Sequence, residues 1–219
     1  MVKATEKVRE TVARLGRKML ESGLVAGTWG NISCRLEAEN VVVITPSGMD
    51  YANLQPSDMV VLDLDGRVIE GYRKPSSEAP LHLAIYRARK DVLGIVHTHS
   101  EVATAFGVLR EPIEPVVEDA AMLVGGPVEV ARYALPGTEE LAQNVVKALG
   151  ERYAVLMANH GLVGVGRRVE EAFTVCQVVE KCARIYAWAK SLGKPVVIPD
   201  QDVSELSRIY RSSYGQPQK

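Results

Sequence analysis

Two histidines one residue apart, His97 and His99, follow the apolar run Leu93-Gly94-Ile95-Val96. Side chains on a β-strand alternate between faces, so both imidazoles project one way and Thr98 the other. Two neutral imidazoles side by side are a ready pair of ligands for zinc or a similar ion. An isolated His-x-His pair is more often just two strand-end histidines satisfied by hydrogen bonds, so the pair needs company to mean more. The chain has only 4 histidines. One of them, His160, lies in Ala158-Asn159-His160-Gly161, where the strand-like Val155-Leu156-Met157 turns, and is well placed to complete a site. Three histidines leave a coordination position open, the pattern of a catalytic rather than a structural zinc. Glu78, in Pro75-Ser76-Ser77-Glu78-Ala79-Pro80, is the natural fourth ligand or general base. It sits at a helix start, where backbone N–H groups are also offered to an anion. His82 lies one turn further on, and its spacing from Glu78 could be mistaken for a metal pair; it is read here as structural.

Three short segments supply small hydrogen-bonding residues. They are Gly27-Thr28-Trp29-Gly30-Asn31, Thr45-Pro46-Ser47-Gly48 and Ser76-Ser77. Each alone is an ordinary chain reversal or helix cap. Together their N–H and hydroxyl donors suit a phosphate group, which a chain of net charge -1 can bind locally without a basic field.

The elements that must position these residues follow from periodicity. Val8, Val12, Leu15, Met19 and Leu20 recur at helical spacing over about residues 3–22. Val41 to Ile44 is the most strand-like run, and Met59 to Leu64, Asp65-Gly66 and Arg67 to Ile69 read as a β-hairpin. A serine-capped helix from the Pro75–Pro80 segment to about Arg89 feeds the His97 strand, and Ser100 to Leu109 reads as a short helix. Arg110 to Pro136 reads as irregular, with a Gly125-Gly126 break. Thr138 caps a helix to Leu149, strands follow at Tyr153–Met157 and Leu162–Val165, and Val169–Leu192 is the longest helix. A last amphipathic helix is expected over about Asp202 to Tyr214. With no linker or composition shift, residues 1–219 read as a single domain of the α/β class, a layered arrangement around a largely antiparallel sheet.

At 47% hydrophobic and 24% charged, the composition is that of a soluble globular protein. Near-neutral charge and 5% aromatic residues argue against nucleic acid, and no apolar run approaches a membrane span. The N-terminus is charged and not signal-like, and Cys34, Cys176 and Cys182 show no CxxC spacing, as expected of buried free thiols in the cytoplasm.

The ordered set GTWGNIS, ITPSG, PSSE, HTH and NHG resembles class II aldolases of the fuculose-phosphate aldolase type, over about residues 8–190. The same superfamily holds ribulose-phosphate 4-epimerases, sugar-acid phosphate decarboxylases, a methylthioribulose-phosphate dehydratase and the catalytically silent adducin head domain. The resemblance implies a three-layer α/β/α fold with a central antiparallel sheet, assembled as a homotetramer with active sites between subunits. It implies that His97, His99 and His160 bind Zn2+ (Mn2+ or Co2+ in some members), with Glu78 as fourth ligand at rest and as the acid–base group in turnover. Gly30, Asn31, Ser47, Gly48, Ser76 and Ser77 match positions that hold the substrate phosphate. The implied reaction is reversible cleavage of a ketose 1-phosphate, such as L-fuculose 1-phosphate, to dihydroxyacetone phosphate and a small aldehyde.

One family feature is missing. A tyrosine from the neighbouring subunit that donates a proton near the aldehyde has its counterpart within Val117-Glu118-Asp119-Ala120-Ala121, which contains no tyrosine. Glu118 or Asp119 could take that role. Tyr133 matches a different family tyrosine, and the tail holds Tyr210 and Tyr214. An inactive scaffold has no reason to keep three histidines and Glu78, and an unrelated zinc hydrolase would need no phosphate loops. The other enzymes of the superfamily remain the competing reading.

Overall fold

In the computed structural model, residues 2–212 are described. Eight strands form one sheet: β1 (Asn31–Leu36), β2 (Val41–Ile44), β3 (Val60–Asp63), β4 (Val68–Glu70), β5 (Gly94–Thr98), β6 (Val130–Ala131), β7 (Ala154–Met157) and β8 (Gly161–Gly166). Their order across the sheet is β4-β3-β2-β1-β5-β8-β7-β6. Every neighbouring pair is antiparallel except β6 and β7, which run parallel. β5 is therefore central, buried along its whole length between β1 and β8. Its β-branched Ile95 and Val96 suit a pleated position covered on both faces.

The helices are α1 (Val2–Glu21), α2 (Ala79–Ala88), α3 (Glu101–Leu109), α4 (Glu118–Val124), α5 (Glu139–Leu149), α6 (Val169–Leu192) and α7 (Asp200–Ser212). α1, α3 and α6 cover one face of the sheet, with α4 against α6 and α7 against α4. α2 and α5 pack on each other over the opposite face, completing the expected three-layer α/β/α arrangement. Among the described residues, no helix is long and apolar enough to cross a membrane.

The long helix α6 lies unusually near the central strands because glycines face it. A Cβ on Gly94 of β5 would run into the backbone of Val169 at the start of α6. One on Gly164 of β8 would stand 2.6 Å from Cys176 Sγ and 2.8 Å from the Ala172 carbonyl oxygen. The helix backbone thus occupies the space that side chains would fill, and the other face of β5 is left to carry His97.

Three expectations need correction. The Arg110–Pro136 stretch is not irregular throughout: it holds α4 and the short β6, each stabilised by packing on neighbours rather than by a local pattern. The α2 cap is not a serine. Glu78 itself occupies the cap position, and Ser76 Oγ accepts from the Glu78 N–H at 3.2 Å. Cys34 is half-buried rather than buried, although all three thiols are free as expected. The final helix starts at Asp200, and the end expected at Tyr214 lies outside the described residues.

Because the backbones of β5 and α6 must separate to admit a methyl group, Gly94→Ala is expected to lower the urea unfolding free energy by about 1–3 kcal/mol. Gly193→Ala, whose added Cβ meets nothing within 4 Å, serves as the control and should leave the midpoint nearly unchanged.

Candidate active site

The register of the sheet assembles the site. Asn31 of β1 is the cross-strand partner of His97 on β5, so both side chains share the face covered by α2. His99 follows two residues after His97 on the same side, just beyond the strand end. His160 sits in the tight turn joining β7 to β8, beside Asn159, which adopts a φ of 55°. The turn approaches closely because Gly161 has no side chain: a Cβ there would meet the Thr98 carbonyl oxygen and stand 2.9 Å from His97 Cε1. The three imidazoles consequently pack ring against ring, with centroids 4.8, 4.9 and 5.1 Å apart. One ligand nitrogen from each lies within 4.8 Å of the others.

Glu78 points into this cluster from the start of α2. Its Oε2 is 3.2 Å from His97 Nε2 and its Oε1 is 3.3 Å from His160 Nε2. The carboxylate is only 6% exposed. Burial alone would favour its neutral acid. The facing His97 and His160 rings and a 2.7 Å hydrogen bond donated by Asn31 Nδ2 outweigh burial and hold the carboxyl below its usual range. Burial acts the other way on the rings, pushing His99 down to about 3 and His160 to about 4, with the neighbouring His97 adding to both shifts. Both are neutral at pH 7 and offer lone pairs.

His97 is held in the tautomer a ligand needs. Its Nδ1 lies 3.0 Å from the carbonyl oxygen of Leu162 on β8, an acceptor, so Nδ1 carries a proton and Nε2 faces the cluster, 3.0 Å from His99 Nε2. Glu78 Oε1 has no hydrogen-bond partner although it is buried. An anionic oxygen without a hydrogen-bond partner beside three imidazoles fits a divalent cation, and the donor set of imidazole nitrogens with one carboxylate suits zinc, manganese or cobalt.

The loops form the other wall. An isolated bridge between Pro46 and Pro75 lays the Thr45–Gly48 turn beside the Pro75–Glu78 segment. Ser47 N–H donates to Lys74 and Ser76 N–H to Thr45. Gly30, at φ 81°, lies against β5, where a Cβ would stand 2.7 Å from the His97 carbonyl oxygen. A cavity of about 350 Å³ results, whose lining includes Gly30, Asn31, Ser47, Gly48, Ser76 and Ser77 together with Glu78, His99 and His160.

The residues singled out as metal ligands and phosphate holders are thus gathered at one cavity, with His97 buried against Glu78. The amide of Asn31 differs from the expectation in its partners: it is bonded to Glu78 and, at 2.5 Å, to His82. Thr28, Trp29 and Pro136 also line the cavity and were not singled out as site residues. Trp29 is 65% exposed with its ring 5.8 Å from that of His99, and its place in a loop of small residues was the available signal. Pro136 gave none. Glu118, Asp119, Tyr133 and Tyr210 do not line the cavity. Asp119 is ion-paired with Lys181, and Tyr210 lies against Arg211. Tyr214 is outside the described residues.

Comparison with known proteins places this geometry. The family model for the class II aldolase and adducin N-terminal domain matches residues 10–187. The chain is 42% identical over 211 residues to a 5-deoxy-D-ribulose 1-phosphate aldolase of Bacillus thuringiensis serovar kurstaki, covering 96% of this chain and 98% of that protein. It is 34% identical over 208 residues to a 5-methylthioribulose-1-phosphate/5-deoxyribulose-1-phosphate aldolase of Rhodospirillum rubrum, covering 95% and 92%. A solved structure of an L-fuculose 1-phosphate aldolase superposes with a TM-score of 0.91 at 40% identity, over 94% of this chain and 96% of that one. Since motif order, sheet topology and near full-length similarity coincide, the chain belongs to the class II aldolase and adducin N-terminal domain family.

Proposed function

We propose that the chain is a zinc-dependent aldolase that reversibly cleaves a ketose 1-phosphate to dihydroxyacetone phosphate and a small aldehyde. The observation that carries this reading is a buried carboxylate against a cluster of three histidines, at a cavity also lined by small hydroxyl and glycine residues. The relatives named for 5-deoxyribulose 1-phosphate and L-fuculose 1-phosphate cleavage support it and supply the first substrates to try.

In this proposal His97, His99, His160 and Glu78 hold the divalent ion, which when bound supplies Lewis-acid polarisation of the ketose carbonyl. Gly30, Asn31, Ser47, Gly48, Ser76 and Ser77 hold the phosphate. The C4 hydroxyl of the ketose 1-phosphate gives up its proton to solvent water as the C3–C4 bond breaks; the bond's electron pair stays on C3 as the enediolate of dihydroxyacetone phosphate, and C4 departs as the aldehyde carbon. Glu78 delivers the proton that quenches C3, and in the synthetic direction takes it away. Its unpartnered Oε1 is the oxygen suited to that task, because Oε2 is held by Asn31. A homotetramer with sites between subunits is part of the proposal on the family resemblance. A cytoplasmic location is also part of it, supported by three free thiols.

A coupled assay should detect dihydroxyacetone phosphate released from 5-deoxyribulose 1-phosphate and L-fuculose 1-phosphate. Activity should vanish with a chelator and return with zinc, manganese or cobalt. No release from metal-loaded protein would overturn the reading, and ribulose 5-phosphate epimerisation and sugar-acid phosphate decarboxylation would be tested next on the same site.

Glu78→Gln should keep metal on the three histidines while kcat falls by about 10²–10⁴-fold, the usual worth of a positioned acid–base group. His97→Ala should lose the metal itself. Elemental analysis alongside turnover separates the two outcomes, and unchanged turnover in a metal-loaded Glu78→Gln protein would show that another group moves the proton.

A further inference from the structure

Behind Glu78 runs a buried chain of hydrogen bonds that neither the metal cluster nor the phosphate wall requires. Glu78, His82 and Tyr86 recur every four residues along one stripe of α2. Asn31 and Ser33 alternate onto the one face of β1 that meets this stripe. The links are Glu78 Oε2 to Asn31 Nδ2 at 2.7 Å, Asn31 Oδ1 to His82 Nε2 at 2.5 Å, His82 Nδ1 to Ser33 Oγ at 2.6 Å and Ser33 Oγ to Tyr86 OH at 2.8 Å. His82, Ser33 and Tyr86 are 0% exposed and Asn31 is 3% exposed.

The chain has a direction. A carboxylate only accepts, so the Asn31 atom facing Glu78 must be its NH2 group, and the carbonyl end then faces His82. That carbonyl also only accepts, so His82 Nε2 must carry the proton. The ring is neutral, since burial pushes it down to about 3, and its Nδ1 is therefore an acceptor. Ser33 donates to Nδ1, and its oxygen is left to accept from Tyr86. The opposite polarity would set the Asn31 carbonyl oxygen against a carboxylate oxygen 2.7 Å away. An asparagine amide is nearly symmetric in shape, so packing alone does not choose between the two orientations. A fully buried histidine is also a poor core filler, since a leucine there would need no hydrogen-bond partners.

We infer that His82 is a positioning residue for the reaction: its Nε2–H fixes Asn31 so that the amide anchors Glu78 Oε2 and leaves Oε1 as the oxygen that moves the proton. This rests on the aldolase reading for the identity of the reaction, while the polarity of the chain is a property of the protein alone.

Two measurements on the full-length protein test it. The first is the tautomer of His82 by long-range 15N–1H correlation in histidine-labelled protein. The Nε2–H form is expected; the Nδ1–H form or an imidazolium would overturn the inference whatever the activity. The second is exchange of the C3 proton of dihydroxyacetone phosphate with solvent deuterium, with metal content and thermal unfolding recorded on each variant. His82→Gln can still present an N–H to Asn31 and should keep exchange within about threefold of wild type, whereas His82→Leu should lower kcat roughly 10- to 100-fold with KM little changed. Asn31→Leu, which also alters the proposed phosphate site, should lower kcat at least as much and raise KM, and adding His82→Leu to it should lower kcat little further. Equal losses in His82→Gln and His82→Leu, or full exchange in His82→Leu, would reduce His82 to a packing role. If His82→Leu fails to fold, Ser33→Ala takes its place: a weakened Nε2–H preference with reduced exchange supports the inference, and an unaltered tautomer with unaltered exchange overturns it. Absence of exchange in metal-loaded wild type would count against the aldolase reading, and the tautomer would then decide this inference by itself.

Discussion

A carboxylate buried against imidazoles is the interaction that the rest of this structure serves. Glu78 is 6% exposed and within 3.3 Å of two histidine rings. An isolated carboxylate in such a place would abandon its charge, because removing it from water costs more than proteins usually recover. Here it keeps the charge, since the Asn31 amide binds one oxygen and the cluster of rings faces both. Each ring is positioned by backbone rather than by a mobile loop alone: His97 from the central strand, His99 at its end, His160 from a turn pinned by the absence of a Gly161 side chain. A site whose ligands arise from strand ends keeps its geometry when substrate enters and leaves.

That rigidity is bought with glycine. On one face of β5 the helix α6 comes so close that Gly94 admits no methyl group. At the cavity, Gly30 lies with its α-carbon directly against the His97 carbonyl, in a left-handed conformation that disfavours other residues. The two glycines do different things: one lets a helix clamp the strand from behind, the other brings its loop up to the histidines in front.

How much of this was legible from the sequence depended on whether the causes were local. His97 and His99 could be placed on one side because a strand has a period of two, and Val41–Ile44 could be read as a strand because its β-branched residues have little alternative. His160 was legible because a strand ran into an Asn-His-Gly turn. The loops Thr45–Gly48 and Ser76-Ser77 could be read as turns, but their adjacency rests on the Pro46–Pro75 bridge, a contact between distant segments with no local signature. α4 escaped for the same reason: seven residues without a side-chain cap bond are helical because α6 and α7 hold them. His82 could be placed one helical turn from Glu78 by the period of a helix. Its hydrogen bonds to Asn31 and Ser33 were hidden, since they require knowing that α2 lies over β1.

The cavity also constrains how protons move in it. Among the described residues lining it, only Glu78 carries a carboxyl. Within one protomer, then, a single carboxylate among the described residues faces the cavity. Its two oxygens are not equivalent: Oε2 is held by an amide whose orientation is set by a chain of buried groups, and Oε1 has no hydrogen-bond partner. A carboxylate free at both oxygens would rotate and present either one to the substrate. Anchored at one, it keeps the other aimed along a single line, which is what the proposed reversible enolisation demands of its base.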